Sequence, residues 1–283
     1  MPLAFDFERN QKCVLICRAL RGYIAWGTKR DNGRGDSDGD QLSAAGVGMS
    51  GVEIKMLHAG AITQVVRAVV PEFEKQTGHK VTLHRDTAGA LTKLIESGES
   101  FDLALLTPGA IDKLTEQGKF VRGSRTNIAR VGVGVVVKEG TPLPDISSVD
   151  AFKNALMKAK TVAYIDPHAG GSSGIYVAGL LEKLGIAKEV NAKAKLIHGG
   201  AVATHIAKDV AELGVHQISE ILPVKGIVLV GPLPKEIQNY TTYAAGIGAN
   251  AKQAEAARAL IRAFVSPDNA TVIRSKGLEP VTA

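Results

Sequence analysis

Residues 161–176 read Thr-Val-Ala-Tyr-Ile-Asp-Pro-His-Ala-Gly-Gly-Ser-Ser-Gly-Ile-Tyr and join a short apolar run to an amphipathic segment. The apolar run predicts a buried strand, and the pattern from Ile175 to Leu184 predicts a helix. The loop between them exposes backbone N–H groups and serine hydroxyls where a helix begins. Such a place attracts anions, because the first amides of a helix are unpaired and its dipole is positive there. The stretch therefore predicts a strand–loop–helix unit with an anion-binding loop.

The same alternation of strand and helix runs through the chain from Met49 onward, which is typical of a largely parallel sheet covered by helices. Pro71 is expected to interrupt the first helix or to restart it. The predicted strands are Glu53–Leu57, Lys80–Leu83, Phe101–Leu106, Val131–Lys138, Thr161–Ile165, Lys195–Ile197, Gly226–Gly231 and Thr241–Ile247. The predicted helices are Ile62–Phe73, Leu91–Ser97, Ile111–Glu116, Val149–Ala159, Ile175–Leu184, Val202–Leu213, Lys252–Phe264 and Ala270–Ser275.

Loops rich in small residues follow four of the predicted strands. In open α/β sheets, ligands bind beyond the carboxyl ends of the strands, so these loops are expected to share one site. Four of the seven histidines fall in them, namely His58, His84, His168 and His198. If the strand alternation continues through His84 and Arg85, these two side chains point to opposite faces, and one of them lines the cleft. Glu220 and Asp166 could act as acid or base partners of a histidine, but they are interpreted as caps or surface charges.

The composition disfavours some classes of function, and the N-terminal segment bears on where the protein is located. The 283 residues carry a net charge of +6, with lysine and arginine dispersed among acids, so nucleic-acid binding is disfavoured. Apolar runs long enough to span a membrane are missing from the sequence. Residues 1–48 hold both cysteines and a Gly/Asp-rich tract, and are predicted to be a disordered extension. The extension contains no convincing signal peptide, which leaves a cytoplasmic location open.

Five segments together resemble molybdate-type solute-binding proteins of ABC importers. They are residues 53–61, 91–104, 172–176, 214–220 and 266–280, and the likeness covers about residues 52–283 in unbroken order. The resemblance implies an α/β, two-lobed periplasmic-binding-protein-like (type II) fold with a ligand cleft between the lobes. It implies one lobe from residues 52–130 and about 245–283, and a second from residues 131–244. It also implies a small anionic ligand, an ABC permease as partner, a monomer and a periplasmic location.

Carried over position by position, the resemblance places ligand contacts in the small-residue loops. Ala61 stands where molybdate binders usually present a serine, and Gln217 where a tyrosine is common. These departures, together with the histidines and Arg85, favour an organic carboxylate over a bare oxyanion. The expected ligand-binding residues are His58, Gly60, Ala61, Arg85, Thr87, Ser172, Ser173, Gly174, His198, Ala201 and Gln217.

Two functions remain open at this point. The first is a non-enzymatic solute-binding protein that captures a small anion in the cleft. The second is an isomerase of an unsaturated tricarboxylate such as aconitate, because some proteins that resemble this family have that activity. In that case His58 or His198 is the expected base and Arg85 the carboxylate clamp. No cofactor and no metal are predicted, since the histidines lack metal-ligand spacing.

Overall fold

The computed structural model describes residues 51–281, so the extension predicted for residues 1–48 lies outside the described residues. Strands and helices alternate along this part of the chain. The strands are β1 (Glu53–Ala59), β2 (Lys80–Asp86), β3 (Leu103–Leu106), β4 (Thr126–Lys138), β5 (Val162–Ile165), β6 (Ala194–Ile197), β7 (Leu213–Gln217), β8 (Ile227–Pro232), β9 (Tyr240–Ile247) and β10 (Glu279–Pro280). The α-helices are α1 (Thr63–Thr77), α2 (Ala88–Glu96), α3 (Pro108–Glu116), α4 (Val149–Lys158), α5 (Ser172–Lys183), α6 (Ala187–Asn191), α7 (Val202–Ala207), α8 (Ile218–Ile221), α9 (Ala254–Val265) and α10 (Ala270–Ser275).

Strand β4 is long enough to belong to two lobes. The strand order is β2-β1-β3-β9-β4-β7-β5-β6. Residues 126–132 of β4 pair with β9 in the first lobe, whereas residues 133–137 pair with β7 in the second. The chain returns to the first lobe just before β9, where Gln238 bonds both the N–H and the carbonyl of Val133 at 2.9 and 3.0 Å. The lobes are therefore joined by the continuous strand β4 and by the segment before β9, which the hydrogen bonds of Gln238 hold against β4.

In each lobe, the central strands of the sheet are buried on both faces. In β1, Ile54 and Met56 pack with α1 and α9, whereas Leu57 packs with α2 and α3. In β5, Tyr164 packs with α4 and α5, and Ile165 packs with α7. Strands buried on both faces read as continuous apolar runs, which is why they were visible in the sequence.

The expectation for Pro71 was wrong, because α1 runs through it without a break. A proline inside a helix removes one hydrogen bond to the carbonyl four residues earlier, here that of Arg67. Both residues lie on the exposed face of α1, where water can satisfy that carbonyl. The buried face, with Val65, Val69 and Phe73, keeps the predicted helical spacing.

One strand of the second lobe differs from the sequence prediction. The helix expected over Val202–Leu213 ends at Ala207, and Leu213–Gln217 forms the buried strand β7. Gly214 lets β7 lie this close to β4, because it has no Cβ. A Cβ at this position would lie 2.7 Å from a methyl carbon of Val136 on β4. The carboxyl end of β7 thus joins the strand ends predicted to form the site.

Within residues 51–281, no helix is both long enough and apolar enough to cross a membrane.

Candidate functional site

A cavity of about 230 Å³ lies between the lobes, at the carboxyl ends of β1, β2 and β7 and at the start of α5. This is where ligands are expected in an open α/β sheet. Seven of the predicted site residues line it. They are Gly60, Ala61, Arg85, Thr87, Ser172, Ser173 and Gln217. His216, Glu220 and Tyr243 also line it and were absent from the predicted set.

The other four predicted residues are not in the cavity wall. His58 is 3% exposed, and its Nδ1 donates to the carbonyl oxygen of Ala59 at 3.1 Å. Burial lowers the pKa of His58 to about 4, so its ring is neutral at neutral pH. Gly174 packs against β5, where an added Cβ would meet the carbonyl oxygen of Ile165 at 2.2 Å. Ala201 is the residue that precedes α7, while its neighbour Gly200 reaches the cavity.

His198, in the loop after β6, and His168, in the loop after β5, both lie on the surface. Their side chains are 83% and 92% exposed, and each Nδ1 lies 3.0 Å from a different carboxylate oxygen of Asp166. Asp166 also accepts the backbone N–H of His168, as expected for a cap, and this hydrogen bond is the main reason that the pKa of its carboxyl is lowered. The two imidazoles therefore tie two loops together outside the cavity.

One wall of the cavity carries a linked arginine, carboxylate and histidine. Arg85, at the end of β2, donates from Nη2 to Glu220 Oε1 at 2.9 Å and from Nε to Thr63 Oγ1 at 3.1 Å. The other carboxylate oxygen of Glu220 lies 3.3 Å from His216 Nε2. Gly60 lies beneath this ion pair, since an added Cβ would come within 2.9 Å of the Arg85 guanidinium.

Glu220 was wrongly interpreted as a cap or surface charge. Its side chain is only 11% exposed and holds both Arg85 and His216. His216 is 2% exposed, and burial lowers its pKa despite the opposing effect of the nearby Glu220 carboxylate. Its Nδ1 is buried without a hydrogen-bond partner in the part of the chain that the structure describes.

A neutral hydrogen-bond network forms another wall. Gln217 Nε2 donates to Ser172 Oγ at 3.0 Å and to the Tyr243 hydroxyl at 3.1 Å. The two hydroxyls lie 3.2 Å apart. Burial raises the pKa of Tyr243 to about 12, so the phenol stays protonated and remains a donor. This network offers neutral donors and acceptors beside the N-terminus of α5.

The lobes are in direct contact across the cleft. Thr87 Oγ1 donates to the carbonyl oxygen of Ala169 at 2.6 Å, and Gly89 N donates to the carbonyl oxygen of Gly170 at 3.0 Å. A Cβ on either glycine would come within 2.7 Å of the Cα of the other. Both positions must therefore stay free of side chains for the lobes to meet in this way.

Among residues 51–281, no group of three or more His, Cys, Asp or Glu side chains is arranged to hold a metal ion. The wall can instead bind an anion through Arg85 and through the amides and hydroxyls at the start of α5. It can also move a proton, because it combines a buried neutral imidazole with a carboxylate.

A family model described as bacterial extracellular solute-binding protein matches residues 54–279. The chain belongs to this family. The "Molybdate-binding protein ModA" of Azotobacter vinelandii is 28% identical over 242 residues, which cover 80% of this chain and 89% of that protein. A protein of Pseudomonas sp named "Aconitate isomerase" is 35% identical over 236 residues, covering 81% of this chain and 88% of that protein.

The solved periplasmic molybdate-binding protein of Azotobacter vinelandii has the same fold as this solute-binding family member. It superposes with a TM-score of 0.70 and 19% sequence identity, over 81% of this chain and 99% of that one. The predicted resemblance to molybdate-type solute-binding proteins and the predicted two-lobed type II fold are thereby confirmed.

Among the wall residues of this family member that were not predicted, four carry polar side chains, namely Asp86, His216, Glu220 and Tyr243. His216 lies in β7 and Glu220 in α8, and neither element was predicted, since the helix expected over Val202–Leu213 overlaps only the first residue of β7. Tyr243 lies in a predicted strand, but no pattern in a single sequence says which strand residue faces a cleft. The Gly214–Glu220 segment carried only its family likeness as a signal, because all five residues of β7 are buried and show no alternation.

Proposed function

We propose that the protein binds a small organic polycarboxylate in the cavity between its lobes. The observation that carries the proposal is the wall chemistry, in which Arg85 is paired with Glu220 and the anion-attracting start of α5 lies on the other lobe. A compact oxyanion presents oxygen on every side, so some of its oxygens would face the carboxylates of Glu220 and Asp86, which both line the cavity. An extended organic anion can place separate carboxylates at Arg85 and at α5, with its hydrocarbon part between them.

Two further observations support an organic ligand. Ala61 lines the cavity without a hydroxyl, at a position where molybdate binders usually present one. The 35% identical relative is named for aconitate, an unsaturated tricarboxylate. In a transport role, the closed, ligand-bound form would deliver this anion to an ABC permease.

Thermal unfolding of the full chain tests this proposal. The anions to compare are cis-aconitate, trans-aconitate and citrate against molybdate, tungstate, sulfate and phosphate. Ligand at a hundred times its dissociation constant stabilises the folded state by about 2.7 kcal/mol. We expect the carboxylates to raise the melting temperature, and Arg85→Gln to abolish the effect. Arg67→Gln is the matched control, because Arg67 is exposed on α1 and does not line the cavity.

The outcomes separate the parts of the proposal. Stabilisation by molybdate or sulfate alone would show that the cavity selects oxyanions and would reject the polycarboxylate. An unchanged melting temperature with every anion would reject the cleft as an anion site.

A second candidate function is the isomerisation of an unsaturated tricarboxylate. The specific observation in its favour is the buried His216–Glu220 pair in the wall, because merely holding an anion requires no proton-transfer group. Incubation of cis-aconitate with the full chain, followed by NMR, tests this function. Appearance of the trans isomer faster than in protein-free buffer supports an enzyme, whereas an unchanged spectrum supports a binding protein.

A further inference from the structure

We infer that the ligand of this cavity is a hydroxycarboxylate, whose hydroxyl group donates a hydrogen bond to Glu220 while the neighbouring carboxylate binds Arg85. The inference rests on the first proposed function, the binding of an organic polycarboxylate, and narrows the class of ligand. It makes Glu220 the residue that determines specificity at this site.

The charges that line the cavity are a poor match for a bare polyanion. Among the lining residues of the described chain, Arg85 is the one cationic side chain, against the two carboxylates of Asp86 and Glu220. Burial lowers the pKa of His216, so this residue adds no positive charge at neutral pH. The lining side chains therefore carry more negative than positive charge. A ligand that donates hydrogen bonds to a carboxylate avoids the repulsion that a ligand with acceptors alone must suffer.

Glu220 has acceptor capacity that the described protein does not use. Its Oε1 accepts one hydrogen bond, from Arg85 Nη2 at 2.9 Å. Its Oε2 lies 3.3 Å from His216 Nε2, and no hydrogen bond joins this oxygen to a described residue. A carboxylate has about four lone-pair positions, and unused positions are costly in a side chain that is only 11% exposed. Because Glu220 lines the cavity, a bound ligand can supply the donor.

Arg85 can bind a carboxylate directly beside Glu220. Thr63 and Glu220 accept from its Nε and Nη2, so both N–H groups of Nη1 remain without a partner among the described residues. Gly60 lies beneath the ion pair, where a Cβ would be 2.7 Å from Glu220 Oε1 and 2.9 Å from Arg85 Nη2. Gly60 also lines the cavity, and its lack of a side chain leaves the pair open to a ligand. The wall thus presents a donor and an acceptor side by side.

A carboxylate with a hydroxyl on the adjacent carbon fits this donor and acceptor. It can accept from Arg85 and donate to Glu220 without breaking the ion pair between them. An ammonium group in place of the hydroxyl fits less well, because it would bring a second cation close to the Arg85 guanidinium. A further carboxylate of the ligand can accept from the first amides of α5, since no side chain caps the start of that helix.

Calorimetry on the full chain at pH 8 tests the inference with two pairs of ligands. Citrate is compared with propane-1,2,3-tricarboxylate, which lacks its hydroxyl group, and malate is compared with succinate. In each pair that binds, we expect the hydroxylated ligand to bind about tenfold or more tightly. Its analogue leaves the Glu220 carboxylate without a donor, and a hydrogen bond to a charged acceptor is worth at least that factor. Aspartate, which has an ammonium group where malate has its hydroxyl, should bind more weakly than malate.

Glu220→Gln assigns the preference to a residue. The amide has a similar shape but no charge, so it accepts from a hydroxyl more weakly and leaves Arg85 without a counter-charge. The affinity for the ligands without a hydroxyl should rise by about threefold or more, and the ratio within each pair should fall to less than about threefold. A merely structural role would not raise any affinity. Glu72→Gln is the matched control, because it removes the same charge from an exposed residue of α1 outside the cavity.

The outcomes separate the inference from the function on which it rests. Equal affinities within each pair, or tighter binding of aspartate than of malate, would overturn the hydroxyl donor and leave polycarboxylate binding intact. These comparisons use the wild type, so they decide the point even if Glu220→Gln does not fold. A full preference that persists in a folded Glu220→Gln variant would overturn the role of Glu220. An absence of binding by every carboxylate would reject the polycarboxylate function itself.

Discussion

Acidification should destabilise the protein through His58, by an amount that follows from its burial. The pKa of this histidine falls from 6.5 to about 4 in the folded state, chiefly because burial disfavours the charged ring. The unfolded chain therefore binds a proton at a higher pH than the folded protein does. The neutral ring's contribution is fully present above pH 6.5 and is lost as the pH falls towards 4.

The size of the loss follows from this shift. Each unit of pKa is worth about 1.4 kcal/mol, so the whole shift corresponds to about 3 kcal/mol. Between pH 7 and pH 5, linkage predicts a loss of about 2 kcal/mol in the free energy of unfolding from this group alone. His216 is also buried with a lowered pKa and adds to the total fall, so the His58 contribution must be isolated by difference.

Urea unfolding of the wild type and of His58→Asn at pH 7, 6 and 5 isolates the contribution of His58 to the free energy of unfolding. The asparagine amide can still donate to the carbonyl oxygen of Ala59 but does not titrate in this range. The fall in free energy from pH 7 to pH 5 should be smaller in the variant by about 2 kcal/mol. Equal falls in the two proteins would refute the argument, because they would show that His58 titrates alike in the folded and unfolded states.

Three further substitutions have expected outcomes. Gly89→Ala puts a Cβ within 2.7 Å of the Gly170 Cα, so the ligand affinity measured by calorimetry should fall by about tenfold or more. The free energy of unfolding should stay within about 1 kcal/mol of the wild-type value. An unchanged affinity would show that the lobes can close without this contact. Tyr243→Phe removes the hydroxyl that donates to the buried Gln217 Oε1 and should lower the free energy of unfolding in urea by about 1–3 kcal/mol. Gly174→Ala forces α5 away from the Ile165 carbonyl, and a loss of about 1–3 kcal/mol is expected in the same assay; a loss near zero would mean that the helix shifts freely.

The sequence was sufficient for most elements because their apolar patterns are strong. The predicted helix Ala270–Ser275 matches α10, and the strands that begin at Glu53 and Lys80 were found with short ends. Helix α5 begins at Ser172, three residues earlier than predicted, because its first residues are small and carry no apolar periodicity.

The site was predicted less completely, for a physical reason. Loops that follow strands identify the cavity, so Gly60, Arg85, Thr87 and Ser173 could be found from local sequence. Which histidine enters the wall depends on tertiary packing. His216 was hidden because β7 requires Gly214 to pass close to β4, and a glycine within a strand pattern is normally evidence against a strand.

The contacts across the cleft have a consequence for rates. The hydrogen bonds from Thr87 to Ala169 and from Gly89 to Gly170 must break before the two lobes can separate. Opening of lobes or lids commonly takes microseconds to milliseconds and often limits enzyme turnover. For a transporter component, a long residence time before delivery is an advantage. For an enzyme, the same two contacts would slow product release. Substitutions that weaken them should therefore raise the rate of turnover and lower the affinity for the ligand.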